Sequence, residues 1–232
     1  MKAVILAGGS GTRLYPLTRK IVKCMLPGDG KPLLEHIIRY LASYGFKEIV
    51  VTLGSKHKQV VDYFGDGSRH NVNLIYSIER RPLGTAGSFK NAEKYLDDTI
   101  LVMQGDTLTN FDLARVVAFH KESKAMITIA LTPVKDPTSY GIAAIDKQGR
   151  IITFEEKPRR IFGNLANSGI YVLEHEVLDY IPKGKVFDFS RDLFPMLLAK
   201  KLPAYGIKMD GYWFDIGTPA SYKSAKEYLR NV

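Results

Sequence analysis

The chain is poor in cysteine and in long apolar runs. Its single cysteine, Cys24, excludes an internal disulfide and a cysteine-rich zinc site. Its five histidines are scattered without a His-x-x-x-His pair, which argues against a histidine-built metal site. No apolar stretch approaches the roughly 20 residues that a membrane-spanning helix needs, and Met1-Lys2 leads directly into a predicted strand without a signal-peptide pattern. We therefore predict a cytoplasmic protein with no membrane partner.

Motifs of several enzyme classes are also missing. The glycine-rich stretch at 7–13 lacks the Gly-Lys-Ser/Thr of a Walker A loop, and Leu14 stands where a dinucleotide fingerprint needs its third glycine. There is no Gly-x-Ser-x-Gly, and the spacing suggests no cysteine–histidine pair. No Asp-x-Asp follows the strand predicted at 99–104, where a metal-dependent glycosyltransferase of α/β architecture would carry one. These absences disfavour P-loop, dinucleotide-binding, nucleophilic and glycosyltransferase chemistry.

The formal net charge of +9 over 232 residues indicates either a solvated basic surface or an anionic partner. The lysines and arginines are dispersed, with no basic tail, helix-turn-helix signature or aromatic-basic RNA motif. We therefore expect small anions, such as phosphorylated substrates, and no nucleic acid as partners.

Strand and helix patterns alternate along the first half of the chain. The predicted strands are 2–6, 48–53, 73–77, 99–104 and 126–131, and the predicted helices are 32–43, 56–64, 85–96 and 111–120. This alternation predicts an α/β fold with a mixed, mainly parallel central sheet and helices on both faces. Ligands of such sheets bind at the carboxyl ends of the strands.

More β structure is predicted after Pro133. Segments 142–146 and 150–155 suggest a hairpin, 167–173 a strand, and 190–200 and 218–230 helices; short strands at 203–209 and 212–214 flank the turn pair Asp210-Gly211. No linker, repeat or low-complexity segment interrupts the chain. We therefore predict one domain over 1–232, with a first half at 1–133 and a second at 134–232.

The first predicted strand runs into a glycine-rich segment that ends at Arg13. One interpretation is an ordinary turn, because glycine tolerates positive φ and close backbone approach. The other is an anion cradle, in which backbone N–H groups and the Arg13 guanidinium bind phosphate oxygens. Lys23 could close on a triphosphate held there, or it could be an ordinary surface lysine.

Asp106 and Asp215 each follow a predicted strand. Carboxylates suit Mg²⁺, which takes one or two of them from a protein and fills its other positions with water and phosphate. Asp106 could instead form an Asx turn. Asp215 could cap the last helix, but Thr218-Pro219 already supplies that start signal.

Two more segments lie at strand ends. In Phe154–Pro158, Lys157 could bind a phosphate and Glu156 could reach sugar hydroxyls, or the segment could be a solvated turn. In Leu83–Gly87, the glycines could let the backbone approach a flat ring, or Thr85 could cap a helix.

Seven motifs in this order resemble the sugar-1-phosphate nucleotidylyltransferases (NDP-sugar pyrophosphorylases), with a pattern closest to the mannose-1-phosphate guanylyltransferases. The motifs are LAGGSGTRLYPLT at Leu6–Thr18, LGTAG at Leu83–Gly87, Gly105-Asp106, Tyr140-Gly141, FEEKP at Phe154–Pro158, NSGIY at Asn167–Tyr171 and WFDIGTP at Trp213–Pro219. The resemblance runs nearly the full length. It implies a Rossmann-like nucleotidyltransferase fold, here without the left-handed β-helix that many relatives append.

The resemblance also implies a role for each motif. Residues 1–133 would be a nucleotide-binding half and residues 134–232 a sugar-binding half of a single nucleotidyltransferase domain. The implied catalytic residues are Arg13, Lys23, Asp106 and Asp215, and the two aspartates would hold Mg²⁺. The implied sugar-phosphate ligands are Gly141, Glu156, Lys157 and Asn167. The implied nucleotide ligands are Leu6, Ala7, Gly8, Gly9, Gly11, Thr12, Arg13, Lys23, Glu79, Gly84, Thr85 and Asp106.

The implied reaction joins a nucleoside triphosphate and a sugar 1-phosphate to give an NDP-sugar and pyrophosphate. In-line attack on the α-phosphorus needs positioning and charge neutralisation but no protein nucleophile. Relatives usually carry Pro-Lys-Pro around the phosphate-binding lysine, whereas this chain has Val22-Lys23-Cys24, which we expect to loosen the loop. Without the β-helix, we expect a monomer or homodimer.

Glu79 precedes Gly84 at the position where the family places a base-reading side chain. A carboxylate can accept hydrogen bonds from both N1–H and the N2 amino group of guanine, whereas glutamine suits uracil or thymine. Glu79 could also be a surface partner of Arg80 and Arg81. We predict GTP plus mannose 1-phosphate as substrates. The alternatives are a glucose-1-phosphate uridylyl- or thymidylyltransferase, and a catalytically silent, sugar-nucleotide-binding regulatory subunit.

Overall fold

The structure is a computed structural model, described here for residues 1–9 and 11–230. Ser10, within the glycine-rich segment, and Asn231 and Val232 lie outside the described residues. The strands are β1 (Lys2–Leu6), β2 (Pro27–Gly28), β3 (Lys31–Pro32), β4 (Glu48–Leu53), β5 (Asn73–Ile78), β6 (Ile100–Gln104), β7 (Thr107–Thr109), β8 (Ile127–Pro133), β9 (Gly141–Ile145), β10 (Ile151–Glu156), β11 (Leu165–Leu173), β12 (Ala204–Lys208) and β13 (Trp213–Asp215). The α-helices are α1 (Leu33–Ser43), α2 (Lys58–Phe64), α3 (Gly84–Asn91), α4 (Leu113–Glu122), α5 (Phe194–Ala199) and α6 (Pro219–Leu229).

The central sheet has the strand order β10-β9-β11-β6-β1-β4-β5, and β8 pairs with both β11 and β12. Strand β1 is parallel to β4 and to β6, whereas β11 runs antiparallel to β6. Leu6 at the end of β1 lies opposite Thr52 of β4 and Gln104 of β6. The carboxyl ends of these strands therefore meet at one edge, which is where ligands bind in such sheets.

Both faces of the sheet are buried. In β1, Ala3 and Ile5 pack into one apolar cluster with residues of α1, α2, α4 and α6. The alternate residues Val4 and Leu6 pack into a second cluster with α3 and α5. Because successive strand residues face opposite sides, a strand covered on both sides is apolar at every position, as KAVIL is after its lysine. The predicted α/β fold, with a mixed, mainly parallel sheet and helices on both faces, is confirmed.

Strand β7 was not predicted, and it changes the pairing near the end of the chain. Asp210-Gly211 was expected to join two short strands, but β12 pairs with β8, and β13 pairs with β7 in a separate two-stranded sheet. A three-residue strand is too short to show a period in the sequence. This pairing sets Asp215 opposite Thr107, the residue that follows Asp106 in the chain.

Side-chain caps fix the start of two helices, one of which differs from the prediction. Asp112 accepts hydrogen bonds from the N–H groups of Ala114 and Arg115, so α4 begins after it. Thr218 caps α6 in a reciprocal capping box with Ser221, as its sequence predicted. Among residues 1–9 and 11–230, no helix combines the length and the apolar character needed to cross a membrane.

Candidate functional site

A large cavity of about 620 Å³ opens at the carboxyl ends of β1, β4 and β6. Every residue predicted to bind the nucleotide lines it: Leu6, Ala7, Gly8, Gly9, Gly11, Thr12, Arg13, Lys23, Glu79, Gly84, Thr85 and Asp106. The parallel register of the central strands explains this convergence, because it brings the loops after those strands to one edge.

The glycine-rich segment combines a constrained turn with an open face. Gly11 has a φ of 66°, in the left-handed region, and its carbonyl accepts a 2.7 Å hydrogen bond from the Thr18 hydroxyl. A Cβ atom added at Gly9 would meet nothing within 4 Å. Gly11 therefore serves the turn, whereas Gly9 leaves space in which a ligand could approach the backbone.

Arg13, near the start of the chain, contacts a residue near its end. It lies in a 3₁₀ turn, Thr12–Leu14, and its guanidinium packs against Gly217, where an added Cβ would lie 3.2 Å from Nη1. Gly217 of the WFDIGTP motif therefore lies next to the glycine-rich segment in the wall of the large cavity, whereas Asp215 does not line that cavity.

Lys23 and Asp106 form an ion pair across this cavity. The Lys23 ammonium donates to Asp106 Oδ2, and only 13% and 23% of the two side chains is exposed. The neighbouring Cys24 is buried, which raises the pKa of its thiol to about 12. A buried, protonated thiol is a poor nucleophile, which disfavours a nucleophilic role for Cys24.

Asp215 lies beside Asp106. The N–H of Ile216 donates to the backbone carbonyl of Asp106 at 3.0 Å, which ties the two strand ends together. Burial and the neighbouring Asp106 carboxylate raise the pKa of Asp215 to about 6, whereas the cationic Lys23 and Arg13 act in the opposite direction.

The two carboxylates fit a divalent cation. A bound cation would relieve their mutual repulsion and the burial of Asp215, and Mg²⁺ takes its remaining ligands from water and phosphate. Within residues 1–9 and 11–230, no group of three or more His, Cys, Asp and Glu residues is placed to hold a metal. A metal held at this place would therefore depend on Asp106 and Asp215 alone for carboxylates.

Glu79 lies in the cavity wall and is only 6% exposed. Its Oε2 accepts a 2.6 Å hydrogen bond from the Ser88 hydroxyl, and its Oε1 lies 2.6 Å from where a Cβ of Gly8 would be. Burial raises the pKa of Glu79, while hydrogen bonds from Ser88 and the Leu83 backbone lower it in part. The surface pairing with Arg80 and Arg81 that the sequence allowed is therefore wrong.

A smaller cavity of about 420 Å³ lies near the end of β10. Of the predicted sugar-phosphate ligands, Glu156 and Lys157 line it. Burial raises the pKa of Glu156, and the Lys157 charge, which lowers it, also acts on Asp215. The pKa of Asp215 is thus affected by charged groups of both cavities.

Gly141 and Asn167, the other two predicted sugar-phosphate ligands, do not line the smaller cavity but contact residues that do. A Cβ at Gly141 would lie 2.8 Å from Glu156 Oε2, so only glycine allows that carboxylate its position. The Asn167 amide nitrogen donates to Ser190 Oγ at 3.1 Å and to the Tyr171 hydroxyl at 2.9 Å. The side chain of Asn167 is therefore occupied by protein partners, one of which, Ser190, lines the cavity.

A family model described as nucleotidyl transferase matches residues 2–232. The chain belongs to this family. A UTP–glucose-1-phosphate uridylyltransferase of Synechocystis is 39% identical over 97% of the chain and 62% of that relative. A mannose-1-phosphate guanylyltransferase of Mycobacterium tuberculosis is 39% identical over 99% of the chain and 65% of that relative. The chain thus spans less than two thirds of the length of these two relatives.

This chain also matches proteins over nearly the whole of those proteins' own length. A D-glycero-α-D-manno-heptose 1-phosphate guanylyltransferase of Aneurinibacillus thermoaerophilus is 36% identical over 100% of the chain and 99% of that relative. The structure of a protein described as a glucose-1-phosphate thymidylyltransferase of Bacillus anthracis superposes with a TM-score of 0.92, at 30% identity, over 100% of the chain and 96% of that protein. HddC of Yersinia pseudotuberculosis, solved with GMP-PN, superposes with a TM-score of 0.83, at 31% identity, over 98% of the chain and 99% of that protein. The family resemblance stated from the motifs is confirmed.

The LGTAG loop of this nucleotidyl transferase packs differently from the prediction. A Cβ at Gly84 would lie 2.5 Å from the Phe187 carbonyl oxygen, and one at Gly87 would lie 2.7 Å from the Lys185 carbonyl oxygen. Close backbone packing against 185–187 requires glycine at both positions. Thr85 does not cap α3, which begins one residue earlier; its hydroxyl donates to Asp188 at 2.8 Å. Contact of Gly84 and Thr85 with a nucleotide remains a prediction.

Several residues of the site were missed from the sequence. Residues 52–57, at the end of β4 and directly after it, form a wall of the large cavity, and Ser88 and Gln104 also line it. The signal that could have found the wall is the end of a central parallel strand followed by Gly54. Tyr140 and Trp213 belong to two of the motifs, but their contact was not predicted: the two ring centroids lie 5.2 Å apart in an edge-to-face arrangement, and burial and the Asp215 charge raise the pKa of Tyr140. The apolar periodicity of the sequence does not show that these two rings are in contact, because they lie far apart along the chain.

Proposed function

We propose that this nucleotidyl transferase joins a nucleoside triphosphate to a sugar 1-phosphate and releases pyrophosphate. The observation that carries the proposal is the meeting of Arg13, Lys23 and Asp106 in one large cavity, with Asp215 beside Asp106 and under the influence of Lys157. Cations and paired carboxylates between two cavities suit a reaction in which two phosphates must be brought together.

Each charged group has a role in this proposal. Arg13 and Lys23 bind the triphosphate, and Lys23 exchanges its Asp106 partner for phosphate oxygens when the nucleotide enters. Lys157 orients the sugar phosphate for in-line attack on the α-phosphorus. Mg²⁺ held by Asp106 and Asp215 supplies further neutralisation of phosphate charge when bound. The catalytic effect then comes from orientation and charge compensation, without a covalent intermediate on the protein.

GTP is the nucleotide that we propose. Glu79 supports this choice because its carboxylate is buried in the cavity wall and carries only hydrogen-bond acceptors, which match the adjacent donors of guanine. A relative that this chain matches over 99% of its length is named as a guanylyltransferase. UTP is the second candidate, because a uridylyltransferase and a guanylyltransferase are equally similar to this chain at 39% identity.

The sugar that we propose is mannose 1-phosphate or a close relative. The test is pyrophosphate release from GTP, UTP and dTTP with mannose 1-phosphate, glucose 1-phosphate and D-glycero-α-D-manno-heptose 1-phosphate. We expect the highest kcat/KM with GTP and mannose 1-phosphate. A preference of more than about tenfold for UTP or dTTP would refute the role of Glu79. Nucleotide binding without turnover of any pair would favour the regulatory-subunit alternative.

A further inference from the structure

The segment that leads to Lys23 is held by side chains from another part of the chain. The N–H of Val22 donates to Gln59 Oε1 at 3.0 Å, and Gln59 Nε2 donates to the carbonyl of Lys20 at 2.7 Å. One exposed side chain therefore satisfies both a donor and an acceptor of the backbone just before Lys23.

A lysine from the same region adds to this attachment. Lys56 donates to the carbonyl of Arg19 at 2.8 Å and to that of Thr18 at 3.3 Å. Lys56 belongs to the wall at 52–57 of the large cavity, whereas Lys23 lies on the wall that carries the glycine-rich segment. These hydrogen bonds connect the two walls at the place where the Lys23 turn begins.

We infer that Gln59 is a positioning residue that aims the Lys23 ammonium into the large cavity. Lys23 begins a short 3₁₀ turn at Lys23–Met25, and the N–H of Val22, its N-cap, is the one that Gln59 binds. Rotation of the backbone at Val22 would swing the lysine away from Asp106 and from a bound triphosphate. The inference rests on the proposed function in one respect, namely that Lys23 binds the phosphates.

The backbone at Val22 offers an independent way to fix the same turn. Its φ of −63° and ψ of 140° are values that proline adopts. Val22→Pro would remove the N–H that Gln59 binds and would restrict φ through the ring instead. If Gln59 acts by fixing this backbone, the proline should make its side chain partly dispensable.

The experiment measures equilibrium binding of Mg·GTP and Mg·UTP to the full chain and to variants. We expect Gln59→Leu to raise the Kd about tenfold, because without its hydrogen bonds to Val22 and Lys20 the Lys23 turn would adopt the binding geometry in only about a tenth of the molecules. In a Lys23→Ala background the same substitution should change the Kd by less than about twofold. In a Val22→Pro background its effect should fall to less than about threefold. Gln148→Leu, in an exposed turn, is the matched control.

A second readout separates positioning from a general structural role. The KM of Gln59→Leu for the sugar 1-phosphate should match that of the unmodified chain, because Gln59 does not line the smaller cavity that holds Glu156 and Lys157. The thermal midpoint should fall by no more than a few degrees, because the two hydrogen bonds that are lost are exposed to water. An equal loss of nucleotide binding with and without Lys23 would overturn the inference alone. Unchanged binding in Lys23→Ala itself would overturn the phosphate role of Lys23, and with it the inference.

Discussion

Replacement of Glu79 by glutamine should change which base the large cavity prefers. In the structure, Glu79 Oε2 accepts from Ser88, and the Leu83 backbone N–H also contributes to holding the carboxylate. In Glu79→Gln we expect the amide oxygen to keep these donors, which turns the amide nitrogen towards Gly8 and the cavity. A hydrogen-bond donor would then face the donor edge of guanine.

The magnitude follows from the hydrogen bonds that the variant loses. A hydrogen bond to a charged group contributes about 1.5–3 kcal/mol, and in the variant the acceptor Oε1 that faces Gly8 is replaced by a donor set against the donor edge of guanine. Part of this is recovered by water and by a shift of the base, so we expect a net loss of about 3 kcal/mol, or about a hundredfold, in the GTP-to-UTP ratio of kcat/KM. Most of the change should come from weaker use of GTP.

The assay is pyrophosphate release with GTP and with UTP at a fixed concentration of sugar 1-phosphate. Glu48→Gln provides a matched control, since Glu48 is an exposed residue at the opposite end of β4 from the cavity. We expect the control to keep the base preference of the unmodified chain. A GTP-to-UTP ratio in Glu79→Gln within about twofold of the unmodified value would show that this carboxylate does not read the base.

Three further predictions concern metal binding, glycine packing and pH. Asp106→Ala should lower turnover by about a thousandfold or more while the chain stays folded, because a metal ligand is lost; near-normal pyrophosphate release from the folded variant would contradict the metal assignment. Gly84→Ala should lower the free energy of unfolding by about 2–4 kcal/mol, because its φ is 72° and the new Cβ would lie 2.5 Å from Phe187 O. Gly9→Ala should change the free energy of unfolding by less than about 0.5 kcal/mol and still impair activity, and denaturant titrations with activity assays compare this pair. Burial lowers the pKa of His120 below 6.5, so the unfolded chain takes up its proton more readily, and stability should fall as pH drops below about 6.5. Denaturant titrations at about pH 7.5 and about pH 5.5 should show a smaller decrease in His120→Gln, and equal decreases would contradict this assignment.

The strands were predictable because burial on both sides leaves a strong local signal. KAVIL at β1 and EIVVTL at β4 are short apolar runs, and the structure has both strands with the predicted ends. Helix ends were less predictable, because a cap such as Asp112 acts through two specific backbone hydrogen bonds that the apolar period does not report. The pairing of β13 with β7 rather than with a neighbour along the chain was also hidden, since it joins segments about a hundred residues apart.

The candidate site divides in a similar way. Sequence reasoning identified Lys23, Asp106 and the residues at 6–9 and 11–13 of the glycine-rich segment, all of which line the large cavity in the structure. It did not indicate that Lys23 pairs with Asp106, that Asp188 holds Thr85, or that Gln59 holds Val22. Each of these contacts depends on side chains that meet only after the strands have paired.

The sequence by itself determined the layered α/β architecture and the chemical types available at the strand ends, because apolar periodicity and glycine-rich turns act over a few residues. The tertiary structure alone decided which of those groups are neighbours. Parallel pairing around β1 and the β7–β13 ladder set Asp215 beside Asp106, and burial in that packed environment raises the pKa of Asp215 to about 6. Distances and desolvation are properties of the assembled chain, so no local pattern of residues could report them.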